Sequence, residues 1–350
     1  VELFFRPLYH SSRSVTLHHG PQIPMRFVVG IDLGGTNIVC GCVSEDGSAL
    51  HGVTSVPTGA EEGPDAVVRR IIATALESMA ATRAMAPDAE LIGVGIGAPG
   101  PLDTRSGVVL LTPNLGWVNM PLRERVQEGL QLRTALDNDA NCAVLGEAWM
   151  GAARGARIAV GLTIGTGIGG GIIIDGRLFH GASDIAGEVG HMTIDAHGRR
   201  CKCGNYGCVE AYASGPNIAL RAAEAIGAGA SSSLPSYVGG DLNRITAQTV
   251  YRAAHAGDEL ALEVVRDTAR YLGAAVASLI NIFNPEAVVI MGGVTLAGES
   301  LFEPLRREVS RRAFKPAVAV CRIVPGTLTG VAGVYGAARA FQEQVEAGII

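Results

Sequence analysis

Two glycine-rich stretches decide the fold: VVGIDLGGT at residues 28–36 and AVGLTIGTG at residues 159–167. Each predicts a strand that ends in a tight turn, and a second strand follows each turn, at residues 38–43 and 171–174. The repeated order of elements indicates an internal duplication, with two glycine turns facing each other across a cleft. We therefore expect an α/β protein of the actin-like (ribonuclease H-like) fold with two duplicated lobes.

The remaining segments alternate helices and strands. We expect an N-terminal lobe at residues 25–137, a C-terminal lobe at residues 138–330, and a C-terminal helix at residues 331–347 that packs back on the first lobe. Residues 1–24 resemble no domain, so we expect a disordered extension or a misassigned start site. Apolar spacing predicts further helices at 66–79 and 140–150, two helices within 247–283, and strands at 26–30, 91–96 and 287–291.

Composition excludes several classes of protein. A chain of 350 residues with 48% hydrophobic content buries a large core, and a net charge of -5 without like-charge runs is unlike a nucleic-acid binder. The longest uncharged apolar stretch, residues 158–174, contains six glycines and is shorter than the roughly 20 residues of a membrane span. Residues 1–24 contain no continuous apolar region of a signal peptide. We therefore expect a cytoplasmic protein without nucleic-acid or membrane partners.

The glycine turns have the chemistry of a phosphate site. Residues 165–170 satisfy the G-x-G-x-x-G pattern, but a dinucleotide site needs a helix where a strand is predicted, and no P-loop motif occurs. The turn at residues 32–37 offers free amides, a hydroxyl and a carboxylate able to organise hydrated magnesium. One such turn could be an ordinary hairpin, whereas two facing turns favour a polyphosphate between them. The predicted phosphate-binding residues are Asp32, Gly34, Gly35, Thr36, Asn37, Gly165, Thr166 and Gly167.

A second group of polar residues, DNDAN at residues 137–141, follows a short apolar segment. A carboxylate placed against an alcohol accepts its proton as the oxygen attacks phosphorus. Asp139 is the candidate base and Asp137 the competing carboxylate. Either aspartate could instead be the N-cap of the helix predicted at residues 140–150, and the sequence alone leaves this choice open.

A metal site is predicted from CKCGNYGC at residues 201–208 and His191. Three cysteines and one histidine supply the four ligands of a closed tetrahedral zinc site. A disulfide is disfavoured in a reducing compartment, and unligated thiols leave the clustering unexplained. His180 and His197 are alternative histidine ligands. The remaining cysteines lie apart in apolar elements and are predicted core residues: Cys40, Cys42, Cys142 and Cys321.

Four motifs together resemble those of the ROK family of sugar kinases and sugar-responsive repressors. They are DLGGT at 32–36, NDAN at 138–141, GEVGH at 187–191 and CKCGNYGCVE at 201–210. The resemblance extends from Met25 to the C-terminus. Within the family the chain is most similar to bacterial glucokinases, through GAPGP at 97–101 and NLGW at 114–117.

The resemblance implies an actin-like ATPase fold with a nucleotide and sugar cleft, and a role for each motif. Asp139 is then the base, His191 is favoured over His180 and His197 as a ligand of structural zinc, and magnesium enters with ATP. Gly292 and Gly293 lie beside adenosine, although Met291 or Val294 stands where the family often has another glycine. The implied sugar-binding residues are Gly100, Asn114, Asn138, Asp139, Glu188, His191 and Glu210, and the implied metal ligands are His191, Cys201, Cys203 and Cys208.

The implied reaction is ATP-dependent phosphorylation of a hexose at its 6-hydroxyl, with glucose as the leading substrate. An N-acetylhexosamine kinase or a fructokinase of the same family is the alternative. A sugar-responsive regulator is disfavoured, because residues 1–24 are too short for a helix-turn-helix domain. An actin-like filament would not need the zinc motif together with the polar residues. We expect a homodimer or higher homo-oligomer; the preferred hexose and the use of polyphosphate or ADP as donor stay open.

Overall fold

The structure is a computed structural model that describes residues 25–350, and the extension predicted at residues 1–24 lies outside them. No helix within residues 25–350 is both long enough and apolar enough to cross a membrane. The strands are β1 (Arg26–Leu33), β2 (Asn37–Ser44), β3 (Leu50–Pro57), β4 (Glu90–Ala98), β5 (Leu102–Asp103), β6 (Val108–Thr112), β7 (Trp117–Met120), β8 (Thr134–Asn138), β9 (Ala159–Ile164), β10 (Ile168–Ile174), β11 (Arg177–Leu178), β12 (Ala287–Met291) and β13 (Arg322–Pro325). The α-helices are α1 (Pro64–Met85), α2 (Leu122–Leu130), α3 (Asp139–Met150), α4 (Glu210–Ala213), α5 (Gly215–Gly227), α6 (Leu234–Tyr237), α7 (Ala247–His255), α8 (Glu259–Phe283), α9 (Glu299–Arg312), α10 (Lys315–Val320) and α11 (Ala332–Glu346).

Two five-stranded sheets share one topology, with strand orders β3-β2-β1-β4-β8 and β11-β10-β9-β12-β13. In each sheet the first strand forms an antiparallel hairpin with the second, and a later strand pairs with the first in parallel. The outer strands repeat this pattern, antiparallel on one side and parallel on the other. The predicted duplication of an α/β unit is confirmed. The predicted strand after the second glycine turn is confirmed as β10, and it stands where a dinucleotide-binding turn requires a helix.

Strand β1 is buried on both faces, which explains its unbroken apolar sequence. Phe27, Val29 and Ile31 pack with the apolar side of α1, while Val28 packs with α11 on the other face. The strand was predicted to end at Gly30 but continues to Leu33, because its partner β2 pairs with it over that whole length. Asp32 therefore lies near the carboxyl end of a central strand.

Helix α11 approaches its neighbours backbone to backbone. A Cβ on Gly95 would lie 1.8 Å from the carbonyl oxygen of Ala337, and a Cβ on Gly336 would lie 1.6 Å from that of Cys142. Only glycine permits such contacts, so α11 lies directly against β4 and α3. The C-terminal helix thus contacts elements of the first sheet, while the division into lobes at residue 137 stays a prediction.

The long apolar region at residues 247–283 forms two helices, as predicted. Helix α7 ends at His255, and Asp258 caps α8 by accepting a hydrogen bond from the Ala261 amide at 2.9 Å. The two helices pack against each other and, with α5, cover the second sheet.

Three of the four cysteines predicted in the core are buried: Cys40, Cys42 and Cys142. Cys321 is partly exposed and packs at the margin of the core, so its prediction as a core residue is confirmed only in part. It ends the short helix α10 and precedes β13, which is an edge strand and is therefore covered on one side only.

A small sheet of three strands, β5-β6-β7, was not predicted. Its strands are two to five residues long, and β6 pairs with β7 in antiparallel register from Val109 and Met120 to Thr112 and Trp117. The side chain of Trp117 is buried in the core formed with β1 and α1, which holds the small sheet against that core. The turn between β6 and β7 carries Asn114.

Candidate active site

A cavity of about 740 Å³ collects most of the predicted site residues. It also contains unpredicted wall residues, among them Asn141, Thr163, Asp184 and Ala186. Asp32, Gly34 and Asn37 are outside its wall but belong to the adjoining β1–β2 hairpin, and Gly293 lines a neighbouring cavity. The predicted residues on the wall are Gly35, Thr36, Gly100, Asn114, Asn138, Asp139, Gly165, Thr166, Gly167, Glu188, His191, Glu210 and Gly292.

Both glycine turns line this cavity, and similar backbone hydrogen bonds close them. The Gly34 amide donates to the Asn37 carbonyl and the Gly165 amide donates to the Gly167 carbonyl, each at 2.9 Å. Thr58 holds the first turn from behind, since its hydroxyl donates to the Gly34 carbonyl at 2.7 Å. Two ordered turns with few side chains therefore border one cavity, as a phosphate site requires.

The structure distinguishes between Asp137 and Asp139, which the sequence left as alternative candidates for the base. Helix α3 begins at Asp139, and Asn138 is its N-cap, with a side-chain oxygen that accepts from the amides of Ala140 at 2.9 Å and Asn141 at 3.1 Å. The suggestion that an aspartate caps this helix is therefore wrong. Asp139 lies on the cavity wall, whereas Asp137 is 2% exposed and pairs with His180 at 2.7 Å.

The carboxyl of Asp139 has a raised pKa. Burial raises its pKa to about 6, and the negative charge of Glu188 adds to this effect while the Ala140 amide opposes it. Burial and the charge of Asp139 raise the pKa of Asp32 to about 7. Two carboxylates that repel each other favour a cation beside them, and Asp139 remains mostly ionised at pH 7.

The polar residues near Asp139 are held by backbone contacts. Gly100 has φ of 92° and a Cβ there would lie 2.3 Å from the Leu111 carbonyl oxygen, so only glycine fits. The Asn138 side chain donates to the Gly100 carbonyl at 3.5 Å. A carboxylate oxygen of Glu210 accepts from the Ile168 amide at 2.9 Å, which fixes this side chain beside the second glycine turn.

The four predicted metal ligands converge: the ligand atoms of His191, Cys201, Cys203 and Cys208 all lie within 4.8 Å of one another. The Cys203 and Cys208 sulfurs are 3.7 Å apart, and the Cys201 sulfur is 3.8 Å from Nδ1 of His191. Tetrahedral zinc with Zn–S bonds of about 2.3 Å has sulfur–sulfur edges of about 3.8 Å. The donor set and spacing therefore fit zinc, and neither His180 nor His197 is needed.

Glycine shapes the loop that carries these ligands. Gly207 has φ of 71°, and a Cβ on it would lie 1.6 Å from the Asp195 carbonyl oxygen. The Ala211 amide donates to the Cys208 carbonyl at 3.0 Å, so the last ligand is continuous with the helical turn of Glu210. A metal here would fix His191 and Glu210, which both line the cavity.

A second cavity of about 400 Å³ shares Ile164, Gly165 and Thr166 with the first. Its wall is mostly apolar and includes Ala247 and Tyr251 from α7. Gly165, Thr166 and Gly293 on this wall were predicted nucleotide-binding residues, whereas its other residues were not predicted as part of a site. Its remaining lining residues are Gly215, Pro216, Ile218, Ala219, Ile245, Thr246, Gln248, Gly293 and Val294.

Comparison with known proteins agrees with this arrangement. The sequence profile of the ROK family matches residues 28–344. A glucokinase from Thermotoga maritima is 40% identical over 324 residues, which cover 92% of this chain and 99% of that protein. A xylose repressor from Caldicellulosiruptor bescii is 39% identical over 224 residues, 64% of this chain and 56% of the repressor.

A solved structure is similar over nearly the whole chain. It is a ROK family glucokinase from Streptomyces griseus in complex with glucose and AMPPNP, with a TM-score of 0.75 and 33% identity. The match covers 89% of this chain and 98% of that one, and it confirms the predicted actin-like fold. On sequence and structure alike, this chain belongs to the ROK family.

Proposed function

We propose that this chain transfers the γ-phosphoryl group of ATP to the 6-hydroxyl of a hexose, with glucose as the preferred substrate. The observation that carries the proposal is the single cavity in which Asp139, with a pKa of about 6, lies together with two glycine turns. Support comes from the T. maritima glucokinase, because the match with this chain covers 99% of the length of that glucokinase. The S. griseus structure adds a similar protein that holds glucose and AMPPNP.

The nucleotide occupies both cavities in this proposal. Adenosine takes the apolar cavity that includes Tyr251, because a purine ring gains by leaving water for such a surface. Gly165 and Thr166 line both cavities, so the phosphates extend from there toward Gly35. Asp32 would organise the hydration shell of a magnesium ion that enters with ATP, and such an ion would supply charge neutralisation for the phosphates.

The hexose takes the polar end of the larger cavity. Carboxylates of Glu188 and Glu210 accept hydrogen bonds from sugar hydroxyls, and the amides of Asn114 and Asn138 both donate and accept. Nδ1 of His191 lies toward Cys201, which leaves Nε2 for a sugar oxygen. A wall of charged and amide groups suits a hydroxyl at C2 better than an N-acetyl group, which needs apolar room.

The reaction needs one proton acceptor and no covalent intermediate on the protein. The ionised carboxylate of Asp139 accepts the proton of the sugar 6-hydroxyl. The sugar oxygen forms a bond to the γ-phosphorus while the bond between that phosphorus and the bridging oxygen of ADP breaks. The products are hexose 6-phosphate and ADP, and the proton leaves from Asp139 to solvent.

Zinc has a structural part in this proposal. His191, Cys201, Cys203 and Cys208 would hold the ion, and this would keep the loop that carries Glu210 in one conformation. The fit of the four ligand atoms supports this assignment. We further propose a homodimer or higher homo-oligomer, which light scattering of the purified protein tests.

A coupled assay of ADP release, with and without hexose, tests the function. A sugar-responsive regulator is the second candidate, because the C. bescii xylose repressor is 39% identical over 224 residues. A kinase releases ADP only when hexose is present. Sugar binding without ADP release, together with sugar-dependent binding to DNA, would contradict the kinase and support the regulator.

A further inference from the structure

The loop from Gly181 to Glu188 contributes three residues to the cavity wall: Asp184, Ala186 and Glu188. It follows β11, and the Ala186 amide closes it by donating to the His180 carbonyl at 3.1 Å. Its side chains do not form an apolar core of their own, so contacts with other elements set its position. Two contacts position the loop: His180, which immediately precedes it, contacts Asp137, and Asp184 within it contacts Thr104. Both partners precede Asp139, the proposed base, in the chain.

The first contact joins His180 to Asp137. Nε2 of His180 lies 2.7 Å from Oδ2 of Asp137, whose carboxylate is 2% exposed. The other oxygen of Asp137 accepts from the Asn138 amide at 2.8 Å and from the Asn141 side chain at 3.3 Å. One buried carboxylate therefore holds both the start of the loop and the backbone that leads into Asp139.

The charges around His180 strengthen this contact. Burial alone would lower the pKa of His180, but the hydrogen bond and charge of Asp137, with the charges of Asp184 and Glu343, raise it. These three acids come from β8, the loop itself and α11. A buried carboxylate left without its partner would be costly, so the pair resists opening.

The second contact joins Asp184 to Thr104, in the turn after β5. One carboxylate oxygen of Asp184 accepts from the Thr104 amide at 2.8 Å and from its hydroxyl at 3.0 Å. Asp184 has φ of 58°, a left-handed conformation that is unfavourable for a residue with a side chain. The two hydrogen bonds offset this strain and hold the loop on the first lobe's small sheet.

We propose that Asp137, His180, Thr104 and Asp184 form a loop anchor that sets the position of the hexose-facing loop relative to strand β8, which leads directly into Asp139. Asp137, His180 and Thr104 are positioning residues, since none of them lines the cavity. Their effect on substrate passes through Glu188 and the other wall residues of the loop. The inference rests on the proposed function, because the first measurement that tests it is the phosphorylation of a hexose.

The decisive variant is His180→Ala. We expect kcat/KM for glucose to fall about 10- to 100-fold, as a displaced binding group does, with KM for ATP changed less than about twofold. Calorimetry without nucleotide should show weaker glucose binding by a similar factor. His180→Gln should restore most of the loss, because its side-chain amide nitrogen reaches about the place of Nε2 and still donates to Asp137.

A matched control is Asp175→Asn, which removes the exposed ion pair with Arg157 in the turn between β10 and β11. This variant should bind and phosphorylate glucose as the unaltered protein does. An unchanged glucose affinity in His180→Ala, equal losses for glucose and ATP, or no rescue by glutamine would each overturn the loop anchor.

If His180→Ala does not fold, Thr104→Val decides the question. It removes the hydroxyl bond to Asp184 and keeps the backbone bond, so glucose affinity should fall about 2- to 10-fold, as for one hydrogen bond. Unchanged affinity would contradict the anchor. Absence of hexose turnover in the unaltered protein would refute the proposed function instead, and glucose calorimetry would still test the anchor.

Discussion

Replacing Asp139 by asparagine keeps the size of the side chain and removes the proton acceptor. We expect kcat to fall about 10²- to 10⁴-fold, which corresponds to about 3 to 5 kcal/mol of transition-state stabilisation. Glucose binding measured by calorimetry should persist, because an amide still offers hydrogen bonds. Burial disfavours the ionised carboxyl, so the melting temperature should stay equal or rise.

The pKa of Asp139 gives this prediction a second readout. The pKa is raised to about 6, so the base is ionised above that pH and becomes protonated as the pH falls through it. In the unaltered protein, kcat/KM for glucose should therefore decrease about tenfold per pH unit below about 6. The Asp139→Asn variant lacks this carboxyl, so its residual activity should lose the part of the decline that protonation of Asp139 causes.

Asp137→Asn is the matched comparison, since it changes the neighbouring carboxylate to the same amide. Asp137 does not line the cavity, so this variant should raise the KM for glucose and lower kcat at saturating glucose far less than Asp139→Asn does. Coupled assays of ADP release at varied glucose and pH measure all three proteins. Near-normal turnover in Asp139→Asn, with loss of kcat in Asp137→Asn, would refute the assignment of the base.

Two further predictions concern the ligands. The purified protein should contain about one zinc per chain, and Cys208→Ser should raise the KM for glucose before that for ATP, because it loosens the loop bearing Glu210; active protein without zinc by metal analysis would end this assignment. Ala247→Phe narrows the apolar cavity and should raise the KM for ATP about tenfold while glucose affinity is retained; an unchanged KM for ATP would place adenosine elsewhere.

The hairpins and the duplication were predictable because local sequence determines them. Glycines at residues 34, 35, 165 and 167 stand between short, nearly unbroken apolar runs of strand length, and the structure places both hairpins at the centre of matching sheets. The convergence of the candidate metal ligands was equally clear, since three of the four lie within residues 201–208. These predictions depended on patterns among residues that are close together in the sequence.

The features that could not be predicted from the sequence depend on contacts between residues that are far apart in the chain. The choice between Asp137 and Asp139 depends on His180, which lies 43 positions from Asp137 in the chain. The strands of the small sheet are too short to show periodicity, and the position of Cys321 depends on which strand forms an edge. Such features follow from packing rather than from local propensity.

The most direct test of the central claim is kcat/KM across a sugar panel, measured by coupled ADP release at fixed ATP and magnesium. Glucose, mannose, glucosamine, fructose, N-acetylglucosamine and N-acetylmannosamine form the panel. The polar wall around Glu188 and Glu210 predicts the highest kcat/KM for glucose, with mannose and glucosamine slower. A preference of about tenfold or more for an N-acetylated sugar, about 1.4 kcal/mol in transition-state binding, would contradict glucose as the substrate.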